Sequence, residues 1–349
     1  MKRKELKITT LVISLVLVAA FMLTGFSPAL AADEAAAGGG THALIVKSTG
    51  NPFMERMAQG FETAIEELGG TAIVRAPEAP TAEAQIQIIN ELVAQAVDSI
   101  TIDANDSDAL QPACQQAMQA GIMINSADSA PNADSRMLFC NQAGTVEVAQ
   151  QLCEAVLDLC EGEGEWAILS ATSQAANQNA WIDAMEEIMA NDEQYANLTL
   201  VKTAYGDDLR DKSTSETEGL LQTYPDLKCI VAPTTVGIAA AGKVLTDKGL
   251  AGEVQLTGLG LPSEMAEYID NGVCAYMFLW NPIDLGYLAG YAANALVTGE
   301  ITGAAGETFA AGDLGDKEIV EAADGGTEVI LGPPFGFTPE NIADWKEVY

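Results

Sequence analysis

A lysine, two carboxylates, five carboxamides and two large aromatics stand at the ends of short apolar runs in this chain. They are Lys47, Asp103 and Asp128, then Asn51, Asn141, Asn177, Gln178 and Asn281, with Phe53 and Trp280; Pro233 and Thr235 occupy a similar position. Such a set suits a ligand rich in hydroxyls. Each hydroxyl both donates and accepts, so carboxylates, amides and a cation can ring it, while aromatic faces cover its C–H surface. Core packing is the competing reading for Phe53 and Trp280, and it weighs more for Trp181, one residue into an expected helix. Lys47 could equally be a solvated loop charge, and Pro233 could simply shape its loop.

For catalysis the same inventory is poor. His42 is the only histidine and precedes the first strand, so no Ser-His-Asp or Cys-His arrangement is available. The chain has no GxSxG elbow, Walker loop or GxGxxG, and Gly258-Leu259-Gly260 is too short a match to weigh. Asp103 and Asp128 could form a glycosidase pair, although carboxylates at strand ends more often accept hydrogen bonds. No enzymatic activity is expected. None of the six cysteines lies in a CxxC pair, so a zinc site is not expected either, and no cofactor is.

Alternating strands and amphipathic helices must position these groups. Residues 43–46 form a short apolar run that fits a buried parallel strand, with Lys47 at its carboxyl end. Asn51 is an N-cap and Pro52 suits the first helical position. Met54, Met57, Ala58, Phe61, Ala64, Ile65 and Leu68 then make one apolar helix face, and Gly69-Gly70 can end it. Strands at 71–74, 99–102, 122–124 and 137–140 alternate with helices at 81–95 and 108–120. A second run follows, with strands at 166–169, 198–204, 229–231, 254–258 and 275–278. Its helices lie at 146–160, 180–190, 211–223, 236–248 and 263–271, with 170–179 read as a polar loop. A long helix at 283–298 and a Gly-rich tail with one strand at 328–331 complete the chain. The pattern predicts parallel, doubly wound α/β sheets in two lobes with no long linker. A ligand cleft is expected where the carboxyl ends of the strands meet.

The chain has 349 residues, enough for two lobes with real cores. Residues 1–31 read as an export signal: Lys2, Arg3, Lys4 and Lys7, then an apolar run to Phe26, then the small-residue site Ala29-Leu30-Ala31. The run is long, so a retained membrane anchor is the alternative to cleavage before Ala32. Residues 32–41 read as a flexible leader. Of 16 basic and 50 acidic residues, removal of the signal leaves 12 and 49, a net charge of −37. That surface repels nucleic-acid backbones and anionic lipid, so neither nucleic acid nor a membrane surface is an expected partner. An exported chain permits disulfides, with buried free thiols as the alternative. Cys153 and Cys160, seven apart on one helix, lie roughly 10 Å apart by helical rise, too far to bridge.

At the loop stretches VKSTGNPF (46–53), NQNAW (177–181), YGDDLRDK (205–212), IVAPTTVGIAAA (230–241), LTGLGLP (256–262) and LWNPIDLGYL (279–288) the sequence resembles the periplasmic sugar-binding proteins of ABC importers. Within them it is most similar to the rhamnose-binding and autoinducer-2-binding branch. The resemblance implies a type I periplasmic binding protein: two Rossmann-like lobes joined by a three-segment hinge and closing on one sugar. It implies a first lobe of 42–142 with 280–331 and a second of 143–279 with 332–349. It also implies export to the periplasm or beyond, delivery of a monosaccharide to ABC permease subunits, and a monomer. The autoinducer branch grips its ligand with a lysine, an aspartate, an adjacent Asp-Gln and a Pro-x-Ala backbone. Lys47, Asp128, Gln178 and Pro233 match it. Asn177 replaces the Asp and Thr235 the Ala, which removes a charge-assisted acceptor and adds bulk and a hydroxyl. Both departures argue against the autoinducer and for a pyranose; the resemblance implies L-rhamnose, with autoinducer-2 or a pentose as the alternative, and Asn281 as a contact from the hinge.

Overall fold

The computed structural model describes residues 39–349. The expected export signal and residues 32–38 of the expected leader lie outside the described residues. Thr41, expected to end the leader, instead opens the first strand.

The first half runs β1 (Thr41–Ile45), α1 (Pro52–Glu67), β2 (Thr71–Arg75), α2 (Ala82–Ala94), β3 (Ser99–Ile102), α3 (Ser107–Gln119), β4 (Met123–Ala127) and β5 (Leu138–Asn141). Next come α4 (Thr145–Leu159), β6 (Gly164–Ser170), α5 (Ala176–Asn191), β7 (Leu198–Tyr205), α6 (Arg210–Thr223) and β8 (Leu227–Ala232). Then follow α7 (Thr235–Lys248), β9 (Gln255–Gly258), α8 (Pro262–Asp270), β10 (Met277–Leu279) and α9 (Pro282–Thr298). The tail holds β11 (Thr308–Ala310), β12 (Asp316–Glu318), β13 (Val320–Glu321), β14 (Thr327–Ile330), β15 (Phe335–Phe337) and the short α10 (Ile342–Trp345).

Two sheets organise these elements. One has seven strands in the order β13-β14-β5-β4-β3-β1-β2, parallel except for the edge strand β13. The other has four parallel strands in the order β7-β6-β8-β9. The chain leaves the first sheet after β5, and α4 packs on α5, β8 and β9. It returns after β10, where α9 lies against α1, β3, β4 and β5. It departs again after β14, when β15 pairs antiparallel with β10.

Register decides what meets at the carboxyl edge of the larger sheet. Ile45 pairs with Ile102, and Ile102 with Ser126. The residues just past these strands, Lys47, Asp103 and Asp128, therefore emerge side by side. Apolar side chains cover both faces of the sheet. Ile88, Leu92, Leu110 and Cys114 from α2 and α3 fill one side, and Met57, Phe61, Leu285 and Leu288 from α1 and α9 fill the other.

Cap chemistry sets the two helices nearest the cleft. The Asn51 side chain accepts from the Phe53 amide at 3.0 Å and Pro52 opens α1; Asn281 does the same for Ile283 at 3.0 Å, with Pro282 opening α9. Two expectations change. α5 begins at Ala176, not Ala180, so Asn177 and Gln178 lie in a helical first turn rather than a loop. The tail contains four short strands besides β14; runs of two or three residues carry too little periodicity to be read.

All six cysteines are buried free thiols. Burial pushes Cys114, Cys140, Cys153 and Cys274 up to about 12, which leaves them unreactive as thiolates. Among the described residues, no helix is long and apolar enough to cross a membrane.

Candidate functional site

Lys47 is the centre of the site. Its side chain is 5 % exposed and lies between two carboxylates, Nζ donating to Asp128 Oδ2 at 2.9 Å with Asp103 Oδ1 at 3.4 Å. The Asp103 contact is an ion pair without hydrogen-bond geometry, since neither of its carboxylate oxygens finds a hydrogen-bond partner. Lys47 also donates to Asn177 Oδ1 at 3.3 Å. Burial disfavours the ammonium, but Asp103, Asp128 and Asp208 together outweigh it and hold the lysine above its ordinary range. It is a fixed cation at any physiological pH.

The backbone that presents Lys47 is locked by two amides. Gln85 on α2 donates to the carbonyls of Val46 and Asp103, at 3.2 and 2.6 Å, tying β1 to β3 at their carboxyl ends. Asn105 donates from its amide group to the Lys47 carbonyl at 2.9 Å, and its own N–H is held by Gln85 Oε1 at 2.9 Å. These residues position the lysine without lining the cleft.

Asp128 follows β4 in a left-handed backbone conformation, φ +63°. That bend turns its carboxylate back toward Lys47. Asn177 Nδ2 approaches from α5, donating to Asp128 Oδ2 at 3.0 Å and to the Asp128 carbonyl at 3.3 Å. The groups that come from the two sheets thus meet directly here.

The cleft beside this cluster is narrow, about 30 Å³ in volume, below that of ordinary ligand pockets. Lys47, Asn51, Phe53, Met54 and Asp128 line it from one side, and Gln178, Trp181, Asp208, Pro233, Thr234 and Thr235 from the other. Leu259, Leu279 and Trp280 complete it. Trp280 is the hub of its aromatic wall: Phe53 meets it edge-on at 6.3 Å and Trp181 lies tilted at 5.7 Å. Two buried polar atoms in this lining have no partner, the donor Trp280 Nε1 and the acceptor Gln178 Oε1. Buried polar atoms are normally paired. Both residues line the cleft, although these two atoms are themselves closed off from it.

Four of the expected residues have other places. Asp103 is fully buried behind Lys47, because β3 ends one residue too soon for its side chain to reach the cleft. Asn141 donates to Glu328 Oε2 at 2.8 Å and lines a neighbouring cavity. Asn281 spends its side-chain oxygen on capping α9. Asn177 lines the neighbouring cavity rather than the first, with its side chain bonded to Lys47 and Asp128. Conversely, sequence reasoning passed over Met54, Asp208 and Thr234. Asp208 sits in a left-handed turn, φ +52°, and accepts a short hydrogen bond from the Thr234 hydroxyl. Burial raises its carboxyl, with Thr234 and Lys47 opposing. Its signal was the acidic pair Asp207-Asp208 directly after β7.

The only histidine is committed elsewhere. His42 Nδ1 bonds Ser99 Oγ at 2.8 Å inside the sheet, where burial lowers its pKa. Among the described residues, no group of three or more His, Cys, Asp or Glu side chains is arranged to hold a metal.

Asp103 carries a testable cost. Burial raises its carboxyl well above the usual range, with Lys47 opposing and Asp128 reinforcing. A carboxyl raised by folding binds its proton more tightly in the native state than in the unfolded chain. Its contribution to stability is therefore greatest below about pH 3.9, the unfolded value, and is lost as pH rises toward the folded pKa, by at most about 1.4 kcal/mol per pH unit. Relative to Asp103→Asn, the wild type is expected to lose stability as pH rises from 4. Urea unfolding of both proteins across that range checks this, and parallel pH profiles would refute it.

The model of the periplasmic binding protein domain matches residues 42–301. The chain belongs to this family. It is a solute-binding protein, not an enzyme. A solute-binding protein of an ABC transporter from Clostridium phytofermentas, solved with bound L-rhamnose, is 53 % identical, with 89 % of this chain and 99 % of that one covered at a TM-score of 0.87. A sugar ABC transporter protein from Actinomyces odontolyticus is 41 % identical over 88 % of this chain and 97 % of its own, at a TM-score of 0.70. LsrB from Clostridium saccharobutylicum, in complex with AI-2, shares the fold at 21 % identity, covering 87 % of this chain and 99 % of that one, at a TM-score of 0.82. The D-ribose/D-allose-binding protein of Pseudomonas aeruginosa is 24 % identical over 229 residues, 62 % of this chain and 69 % of that protein.

Proposed function

We propose that the protein is exported, captures L-rhamnose between its two lobes and delivers it to the permease of an ABC importer. The carrying observation is the cleft: a buried Lys47–Asp128 pair beside a wall of Phe53, Trp181 and Trp280. The lining holds one cation, Lys47, against the carboxylates of Asp128 and Asp208, which disfavours an anion and suits a neutral, hydroxylated ligand. The aromatic wall suits the apolar C–H face and methyl of a deoxyhexose. The 53 % identical protein solved with L-rhamnose supports the same choice of sugar.

The lobes in this reading are 42–142 with 280–331 and 143–279 with 332–349, one around each sheet. Lys47, Asn51 and Asp128 grip from the first, and Gln178, Asp208, Pro233 and Thr235 from the second. Trp280 closes the cleft from the hinge. The ligand stabilises the closed arrangement by its preference for it.

Calorimetric titration of the ligand-free protein with L-rhamnose, autoinducer-2, ribose and galactose tests this. A dissociation constant of about 1 µM or tighter, near −8 kcal/mol, is expected for L-rhamnose alone. Preferential binding of autoinducer-2 would transfer the site to that ligand and overturn the sugar assignment.

A further inference from the structure

Asn177 meets the Lys47–Asp128 pair from α5, and all four hydrogen bonds of its carboxamide go to protein groups. Its Oδ1 accepts from Lys47 Nζ at 3.3 Å and from the Gln178 N–H at 3.0 Å. Its Nδ2 donates to Asp128 Oδ2 at 3.0 Å and to the Asp128 carbonyl at 3.3 Å. Donors face the oxygen and acceptors face the nitrogen. A carboxamide carries an acceptor and a two-proton donor on one planar end, the complement of these surroundings, whereas a carboxylate carries acceptors alone.

These bonds join two parts of the fold. Lys47 and Asp128 follow β1 and β4 of the seven-stranded sheet, while α5 follows β6 of the four-stranded one. No side chain caps α5 at Ala175, and first-turn N–H groups have no partner inside their helix. Asn177 satisfies the one on Gln178. Gln178 and Trp181, further along the same helix, line the cleft, and Asn177 itself does not. The autoinducer pattern has at this position an Asp that grips ligand; here the side chain is spent on holding α5 against the pair.

We propose that Asn177 is a positioning residue for the cleft: its carboxamide latches α5 to the Lys47–Asp128 pair and so sets how tightly the cleft holds its solute, without touching it. The latch needs no ligand atom. Its effect on affinity rests on the reading of this cleft as the sugar site.

Asn177→Asp keeps the shape and turns a second carboxylate toward Asp128. The charged groups around the position are Lys47 after β1, Asp103 after β3, Asp128 after β4 and Asp208 after β7, with Arg136, Asp324 and Glu328 across the neighbouring cavity. Two facing carboxylates raise the pKa at which the pair takes up a proton. Once it is taken up, a protonated carboxyl donates to the other and restores part of the latch. The folded variant binds that proton more tightly than the unfolded chain, so its deficit is largest at high pH and narrows as pH falls.

Thermal melts of the ligand-free protein and calorimetry with L-rhamnose, both from pH 5 to pH 8, test this. Compared with wild type at the same pH, Asn177→Asp is expected to melt about 3 °C or more lower at pH 8, with a gap that narrows toward pH 5. Its affinity for L-rhamnose is expected to fall about tenfold or more at pH 8, the worth of two hydrogen bonds, and to recover over the same range. Asn177→Ala cannot take up a proton and is expected to weaken binding by a similar factor at every pH. A melting gap that ignores pH, or no gap, overturns the latch. Melts that follow the pattern beside variants that bind sugar as tightly as wild type overturn the positioning role. Should wild type bind ribose, galactose or autoinducer-2 instead of L-rhamnose, the monosaccharide assignment fails and the same comparison with that ligand decides the positioning role. Binding of none of the four sinks the sugar reading and the positioning role together, while the melts still decide the latch.

Discussion

Replacing Asp128 with asparagine is expected to weaken sugar binding by about a hundredfold, close to 3 kcal/mol, the scale on which a buried charged partner is felt. The choice of asparagine follows from the backbone. Asp128 holds φ at +63°, a region that asparagine adopts more readily than alanine, by roughly 1 kcal/mol. An alanine variant would mix strain with lost chemistry. With asparagine the shape survives, and Lys47 keeps the Asp103 carboxylate at 3.4 Å. What disappears is the anion that both pairs with the lysine at 2.9 Å and faces the cleft. Titration with L-rhamnose beside a thermal melt separates the two effects. The expected pattern is a large fall in affinity with little change in melting temperature. An affinity within threefold of wild type would remove Asp128 from the site.

The positions of the residues proposed to grip the ligand were legible where a short element forced them. Lys47 could be read because it stands just beyond the apolar run 43–46, and Asp128 because it closes the polar stretch that follows the short run 122–124; register then sets the two strands side by side through β3. Asn177 and Gln178 were read as ligand-facing but placed on a loop. The start of α5 is polar because it faces a cleft, and polarity in a sequence is the usual mark of a loop. Asn281 illustrates the converse confusion: the residue types that cap helices are also those that bind hydroxyls, and its oxygen goes to the Ile283 amide. Asn141 is diverted by Glu328, 187 residues further along the chain. No local pattern announces such a partner. Asp208 was hidden for a related reason, since its orientation comes from a left-handed turn and from Thr234 on another strand's loop. The aromatic wall lay between the two readings. Phe53, Trp181 and Trp280 are all buried like core residues and still line the cleft, so burial and binding are not alternatives at these positions.

The geometry of that cleft depends on how closely α1 and α9 approach, and this leads to the largest expected effect on stability. Gly286→Ala is expected to destabilise the protein by about 3 kcal/mol or more, the upper range for overpacking. A methyl at Gly286 would lie 1.8 Å from the Met57 carbonyl oxygen and 2.9 Å from the Phe61 nitrogen. One at Gly60 would lie 1.8 Å from the Ile283 carbonyl oxygen. These obstacles are backbone, which cannot swing aside as a long side chain can, so the helices must separate. Helix propensity alone predicts the opposite sign, since alanine in place of glycine favours a helix by about 1 kcal/mol. Gly219 on α6 isolates that propensity, because nothing lies within 4 Å of the position its methyl would take. Gly219→Ala is expected to stabilise by about 0.5–1 kcal/mol. Urea unfolding of the two variants should thus move in opposite directions. Ligand affinity should fall with Gly286→Ala as well, because α1 carries Asn51 and Phe53 at its start and Trp280 immediately precedes α9. A Gly286→Ala protein as stable as Gly219→Ala would mean that the close approach of the two helices does not set the width of the cleft.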